Sequence, residues 1–318
     1  MAEFALIDLI RARCAVARED VRLGIGDDAA LLAVPAGQVL AVSTDTLVAG
    51  VHFPKDTAPF DIGWKSLAVN LSDLAAMGAQ PAWATLALTL PVADVAWVAA
   101  FADGFAALAR EFDLALVGGD TTQGPLSITV TVHGFVPESL ALCRDGAKVG
   151  DAVFVTGTLG DAAAGLALLQ SPVPEGKEHL ISRLNRPTPR ITQGLLLRRR
   201  AHACIDVSDG LVADLGHICT ASAVGAEIDL VLLPASPALL GLVADEARMP
   251  LQLAGGDDYE LCFSAAPAIA TELLDDLARS GCAATRIGCI VAEPGVRVRA
   301  ADGSLAAPPR PGWEHFSP

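Results

Sequence analysis

Apolar runs of strand length alternate with segments of helical period along nearly the whole chain, and glycine or aspartate stands at many of the joints. That alternation is the pattern of an α/β or α+β fold. Strands are expected over 38–44, 83–90 and 126–136, with a short extended piece at 114–117 and helices over 60–77 and 92–112. In the first helix Trp64, Leu67, Leu71 and Leu74 form one stripe, and Ser66, Asn70, Asp73 and Met77 another, so Asp73 is expected to project off the packing face. The turn Gly146-Ala147-Lys148-Val149-Gly150-Asp151 is followed by a fresh strand over 152–156, and a chain of 318 residues suits two domains of about 150 residues. The division is placed at 1–146 and 147–318. The second part repeats the alternation, with helices over 161–169, within 188–200, and over 211–222 and 267–280, and strands over 204–207, 226–232, 259–263 and 285–291. No low-complexity tract, heptad seam or fixed-period repeat occurs.

Composition narrows the partners. With 22 basic and 37 acidic residues the net charge is −15, which disfavours nucleic acid and anionic membranes. No stretch of membrane-spanning length is free of charge or proline, and the opening Met1-Ala2-Glu3-Phe4 lacks the basic start of a secretory signal, so a cytoplasmic protein is expected. Seven cysteines form no C-x-x-C pair and mostly sit in apolar runs, as reduced and buried thiols do.

The informative residues are carboxylates that stand beside glycine or at the ends of apolar segments. They lie in Gly26-Asp27-Asp28-Ala29-Ala30, Ser43-Thr44-Asp45-Thr46, Asn70-Leu71-Ser72-Asp73, Gly118-Gly119-Asp120-Thr121-Thr122, Asp206-Val207-Ser208-Asp209-Gly210 and Gly255-Gly256-Asp257-Asp258-Tyr259-Glu260. Aspartates with serine and threonine hydroxyls are hard oxygen donors that suit Mg²⁺, and the spacing is not that of a twelve-residue calcium loop. Two carboxylates about 5 Å apart repel by roughly 3 kcal/mol at an effective dielectric near 20, so a cluster of them requires cations. Mg²⁺ usually completes its coordination with substrate phosphates, which makes nucleotide chemistry the leading reading. No P-loop occurs, Gly24-Ile25-Gly26-Asp27-Asp28-Ala29 fails the dinucleotide fingerprint at its last position, and the protein-kinase motifs are absent.

Taken in order, these motifs resemble the thiamine-monophosphate kinase family, within the superfamily that includes aminoimidazole ribonucleotide synthetase. The similarity covers nearly the whole chain, including Val48-Ala49-Gly50-Val51-His52-Phe53, Ala75-Ala76-Met77-Gly78 and the tail Gly312-Trp313-Glu314-His315-Phe316. It implies a two-domain fold with an N-terminal sheet domain that binds ATP and Mg²⁺ and forms a homodimer, and a C-terminal α/β domain that closes the active site. It implies transfer of the ATP γ-phosphoryl group to thiamine monophosphate. By the same resemblance several Mg²⁺ ions fall to Asp28, Ser43, Thr44, Asp45, Asp73, Asp120, Asp206 and Asp209. ATP falls to Gly119, Asp120, Arg144 and Ser208, and thiamine monophosphate to His52, Asp257 and Trp313. Asp257 stands where the family often has Glu, and Phe112 where it often has Tyr.

An acceptor that is already a phosphate needs no strong base, so positioning and charge neutralisation should carry the rate. Asp45, Asp73, Asp120 and Arg144 are the expected catalytic set, Arg144 through a planar fork suited to phosphate oxygens. A surface salt bridge with Asp145 or another acid is the alternative for Arg144, core packing or a ring held by a backbone carbonyl the alternative for His52, and tail packing that for Trp313. Lys65 and Lys148 read as solvated charges and Arg198-Arg199-Arg200 as a helix end. The competing functions are another ATP-dependent synthetase of the same superfamily and a non-catalytic Mg²⁺- or nucleotide-binding module.

Overall fold

A computed structural model describes residues 3–169, 176–308 and 312. They fall into two compact units, one running to Leu74 and resuming over Ala79–Ser139, the other made of Ala75–Gly78 and the chain from Leu140 onward. The first unit opens with α1 (Glu3–Arg13) and an antiparallel ribbon of β1 (Val21–Leu23) and β2 (Leu31–Leu32). Then come β3 (Gln38–Val48), α2 (Pro59–Ala76), β4 (Gln80–Leu90), α3 (Val95–Glu111), β5 (Ala115–Gln123) and β6 (Ser127–Pro137). The last four strands form a sheet in the order β3-β6-β4-β5. It is antiparallel except for the β4–β5 pair, which α3 connects as a parallel crossover requires.

Side chains alternate across this sheet. Along β6, Ile128, Val130 and Val132 are buried, while Thr129, Thr131 and His133 on the other face are half-buried. Leu67, Leu71 and Leu74 of α2 and Phe101, Phe105 and Leu108 of α3 complete the core. The two helices approach so closely that a Cβ at Gly104 would lie 1.9 Å from the carbonyl oxygen of Phe60. α3 starts at Val95 rather than 92, because Asp94 Oδ1 accepts the N–H groups of Ala96 and Trp97 at 2.9 and 3.1 Å and fixes the cap there.

Two expectations are corrected in this unit. β3 pairs with β6 from Gln38 opposite Pro137 to Val48 opposite Ser127, so Ser43-Thr44-Asp45-Thr46 lies inside a strand. The second stripe of α2 is only partly open: Ser66 and Asn70 are inaccessible while Asp73 is half-buried and Met77 exposed, and Lys65, read as a solvated charge, is 2% exposed and has a partner. Polarity does not mark a solvent face on a helix covered from more than one side, provided the buried groups are satisfied. Ser66 Oγ donates to the Gly63 carbonyl and Asn70 Nδ2 to the Ser66 carbonyl, each at 3.0 Å.

The second unit runs β7 (Ala152–Thr156), α4 (Asp161–Leu168), α5 (Glu178–Asn185), α6 (Ile191–Leu197), β8 (Ala201–Val207), α7 (Leu211–Ala221) and β9 (Gly225–Asp229). It continues through α8 (Pro237–Leu242), α9 (Asp245–Ala254), β10 (Glu260–Ala265), α10 (Ala270–Arg279), β11 (Ala284–Val291), β12 (Gly295–Arg299) and β13 (Leu305–Ala306). The seven strands order as β13-β12-β9-β11-β7-β10-β8, antiparallel except where β9 meets β12. Leu211, Leu215 and Ile218 of α7 pack with Val153, Val155, Ile205 and Val207 in one core, and Phe154 stacks on Phe263 with ring centres 5.1 Å apart. The strand expected over 226–232 ends at Asp229, whose carboxylate accepts from the Val231 N–H and starts a single 3₁₀ turn. Antiparallel pairing on this scale makes the class α+β. No helix among the described residues is long and apolar enough to cross a membrane. All seven cysteines are free; Cys14, Cys204, Cys219, Cys262 and Cys282 are buried, Cys289 is half-buried and Cys143 is exposed.

Candidate active site

In the first unit two of the acidic motifs meet where α2 faces β3, the sheet's edge strand. Ser43 Oγ donates to Asp73 Oδ2 at 2.5 Å, joining motifs thirty residues apart. Two residues along β3, the Asp45 N–H donates to Asn70 Oδ1 at 3.0 Å. An edge strand leaves part of its backbone unpaired, and the buried Asn70 amide meets that need while fixing where Asp45 sits. Strand alternation puts Ser43 and Asp45 on the same face and Thr44 on the other. Thr44 Oγ1 accordingly donates to Thr131 Oγ1 at 2.9 Å, and Thr46 pairs with Thr129 at 2.8 Å. Three consecutive members of the expected ligand set therefore divide between the two sheet faces.

Asp120 is exposed on β5, opposite Ala87 of β4. Gly119 beside it has φ +151, and a Cβ there would sit 1.9 Å from the Leu86 carbonyl oxygen, so only glycine allows β5 to lie this close to β4. A cavity of about 50 Å³ adjoins Gly118–Thr121, walled by Ile7, Ile10, Ile25, Leu86 and Leu116. That volume takes a water or a methyl group and falls far short of a nucleotide pocket. Asp28 is exposed in the turn that follows Ile25, and its N–H donates to Asp27 Oδ1 at 2.9 Å. His52 is half-buried in the turn after β3, where its Nδ1 accepts the Val48 N–H at 3.0 Å. That bond places the proton of the neutral ring on Nε2.

In the second unit Asp206 is buried near the end of β8, and the chain then turns through Ser208, Asp209 and Gly210 into α7. The N–H groups of Ser208, Asp209 and Gly210 all donate to Asp214 Oδ2, at 3.0, 3.1 and 3.1 Å. Burial, reinforced by the Asp209 charge and opposed by these three donors, pushes the Asp214 carboxyl up to about 7. The loop before β10 is stitched to this turn: the Asp257 N–H donates to the Ser208 carbonyl and the Tyr259 N–H to the Val207 carbonyl, both at 2.8 Å. Asp257 and Tyr259 have φ of 70° and 50°, a left-handed backbone that non-glycine residues adopt at a cost of about 1–3 kcal/mol each. Tyr259, the chain's single tyrosine, donates its hydroxyl to Asp257 Oδ1 at 3.0 Å and so orients that carboxylate. Ser208, Asp209 and Asp257 thus belong to adjoining loops, just beyond the strand end that carries Asp206.

The rest of that motif is structural. Asp258 is fully buried, accepts the Gly160 N–H at both oxygens, and is pushed well above the usual carboxylate range by burial. Glu260, also inaccessible, takes a two-pronged bond from Arg190 at 2.6 and 2.5 Å, one from Arg183 at 2.8 Å and one from Thr156 Oγ1 at 2.7 Å. Burial opposes the charge on Arg190, yet Glu260 holds its guanidinium above the ordinary value. Arg144 lies exposed in the loop before β7, its carbonyl accepting from Ser222 Oγ at 2.9 Å. Among the described residues no ion pair engages it, and the salt bridge with Asp145 does not form. Trp313 lies outside the described residues.

Asn70, Asp214 and Tyr259 orient the expected ligands without having been singled out from the sequence. Asn70 stood in a quoted motif three residues before Asp73, and Asp214 lies four residues past Gly210, in the first helical turn where acids are favoured. The donors in both units are carboxylate, hydroxyl and carbonyl oxygens, the chemistry that suits Mg²⁺. Among the described residues no three His, Cys, Asp or Glu side chains form a cage able to hold an ion alone.

Residues 26–136 match the family model described as AIR synthase related protein, N-terminal domain, and residues 148–301 match its C-terminal domain. The thiamine-monophosphate kinase of Escherichia coli (strain K12) is 52% identical over 320 residues, covering 99% of this chain and 98% of its own length. The crystal structure of thiamine-monophosphate kinase from Stenotrophomonas maltophilia K279a superposes with a TM-score of 0.89 at 54% identity, over 96% of this chain and 98% of that one. A structure described as AaThiL complexed with AMPPCP and TMP gives 0.79 at 33% identity, over 99% and 97%.

Proposed function

The chain belongs to the thiamine-monophosphate kinases of the AIR synthase related family, and from that membership we propose how its residues carry out the reaction. It is an ATP-dependent kinase that phosphorylates thiamine monophosphate in thiamine diphosphate formation. A terminal oxygen of the acceptor phosphate attacks the ATP γ-phosphorus, the bond to the bridging oxygen breaks, and ADP leaves; no proton has to be removed first.

Ser43, Asp45, Asp73 and Asp120 would hold Mg²⁺ in the first unit, with Asp28 and Thr44 as the remaining members of the set, the Thr44 hydroxyl being turned to Thr131. Asp206 and Asp209 would hold it in the second. Bound Mg²⁺ supplies the positive charge that lowers repulsion between the two phosphates. Gly119, Asp120 and Ser208 position the triphosphate, and Arg144 offers it an exposed guanidinium. His52 Nε2–H and Asp257 orient thiamine monophosphate, and Trp313 offers an aromatic face to its cationic ring. A homodimer and a cytoplasmic setting are part of the same proposal. The sheet face bearing Leu40, Val42, Thr44 and Thr46 supports the dimer, because all four are exposed on the strand at the sheet's edge.

The observation that carries this reading is the Ser43–Asp73 bond with its neighbour Asp45–Asn70, which joins two of the acidic motifs at one strand edge. Phosphorus NMR of ATP, Mg²⁺ and thiamine monophosphate with the enzyme should show thiamine diphosphate and ADP. Asp45→Asn and Asp120→Asn should each lower turnover by about two orders of magnitude or more while circular dichroism stays native. Wild-type turnover in both variants removes the metal assignment.

A further inference from the structure

We infer that Asp214 is a positioning residue for the Mg²⁺-nucleotide, acting through the turn that carries Ser208 and Asp209; the inference rests on the placement of those two residues proposed above. One carboxylate oxygen, Oδ2, collects three successive N–H groups at 3.0–3.1 Å from a side chain that is 3% exposed. Consecutive N–H groups at a helix start form a concavity that draws an anion, and in many proteins that anion is a phosphate of the ligand. Here the chain fills the concavity itself. Asp214 sits in the first turn of α7, its own N–H bonded to the Gly210 carbonyl at 3.0 Å, so the acceptor is fixed to the helix whose start it occupies.

Two consequences follow from the geometry. The N–H groups of 208–210 are spent on Asp214, which leaves the side chains of Ser208 and Asp209 as this turn's contribution to the nucleotide and its metal. The turn's shape is held from both sides, by Asp214 beneath it and by the Asp257 N–H on the Ser208 carbonyl above it. Asp209 is thereby oriented before ligand arrives, and the ordering cost of binding falls. Removing the Asp214 carboxylate loosens three bonds at once, whereas removing Ser208 or Asp209 takes away one ligand atom and leaves the turn intact.

The test uses the full-length enzyme and three readouts. Amide hydrogen exchange at 208–210 without ligand reads the clamp; calorimetric binding of Mg²⁺·AMPPCP reads the nucleotide site; and KM values for ATP and thiamine monophosphate separate this site from the acceptor's. Asp214→Ala should speed exchange at 208–210 by about tenfold or more, weaken Mg²⁺·AMPPCP by a similar factor and leave the KM for thiamine monophosphate within about twofold. Asp214→Asn keeps a neutral acceptor of about half the strength, and should shift exchange and affinity by about threefold in the same directions. If the alanine variant does not fold, the asparagine variant decides. Unchanged exchange overturns the positioning role, as does a loss confined to kcat. Faster exchange with unchanged affinity leaves the clamp standing and overturns the placement of Ser208 and Asp209, an outcome that Ser208→Ala and Asp209→Asn would share by binding Mg²⁺·AMPPCP normally.

Discussion

Asn70 has no exposure to solvent, and its amide is fixed at both ends: Nδ2 donates to the Ser66 carbonyl, so Oδ1 is what faces the Asp45 N–H. In Asn70→Ala the strand N–H loses its acceptor, a loss of about 1–3 kcal/mol, and Asp45 is no longer held in register with Asp73. Thermal unfolding should fall and kcat should drop at least tenfold. In Asn70→Asp the acceptor survives but a third carboxylate joins Asp45 and Asp73, so its activity should recover as Mg²⁺ rises while that of Asn70→Ala does not. Wild-type kcat in Asn70→Ala counts against the role. The contrast shows what is legible at this scale. Asp45, Asp73, Asp206 and Asp209 could be named from residue type and glycine neighbours because oxygen-ligand chemistry resides in the side chain itself. Asn70, Asp214 and Tyr259 could not, because their work is defined by partners in other segments, such as a strand N–H twenty-five residues away. Thr44 looked equivalent to Ser43 only until the strand's continuation set their faces apart.

Elements were legible where their cores are continuous. The strand over 152–156 and the helix starting at Leu211 appear at the expected residues, because buried β-branched runs and a Gly-Leu helix start carry local signals. β1 and β2 are three and two residues long, and nothing local stabilises them. What holds them is distant: Val21 and Leu32 pack on a cluster containing Trp83 and Phe135, and Trp83 Nε1 donates to Asp20 Oδ1 at 3.0 Å. Arg18 completes the anchor, its guanidinium reaching both Asp20 oxygens at 2.9 and 2.6 Å. The Arg18 fork, outweighing burial and aided by Trp83, holds the Asp20 carboxyl below the usual range. A depressed folded pKa means the stabilisation is present above the unfolded value, near 3.9, and is lost as pH falls through the folded one. Asp20→Asn should therefore lower stability by about 1–2 kcal/mol at pH 7 in urea unfolding. The gap should narrow only below about pH 4. A gap of constant size from pH 7 to pH 3 would show that the carboxylate is not what anchors the ribbon.

Across the whole molecule the cysteines report on folding in both units, with Cys14 in the first and Cys204, Cys219, Cys262 and Cys282 in the second. Burial pushes the Cys14 thiol up to about 12 and Cys219 up to about 11, and lifts Cys262 well above the ordinary thiol value. A thiol attacks alkylating reagents as its thiolate, so these groups are protected twice, by lack of access and by a held proton. At pH 8 iodoacetamide should modify Cys143 quickly and Cys289 more slowly, with the five buried thiols labelled only as the chain opens, read by mass spectrometry of peptides. When reclosing outpaces the reagent, the labelling rate follows the population of the open form. A ligand that binds only the folded chain lowers that population, by about 2.7 kcal/mol at a hundred times its Kd. Mg²⁺·AMPPCP at that excess should then slow labelling of the buried thiols about a hundredfold and leave Cys143 unchanged. Rapid labelling of Cys204 or Cys262 in the native enzyme would contradict the packing of the second core, and a nucleotide effect on Cys143 alone would mean that binding alters the loop carrying Arg144 without stabilising the fold.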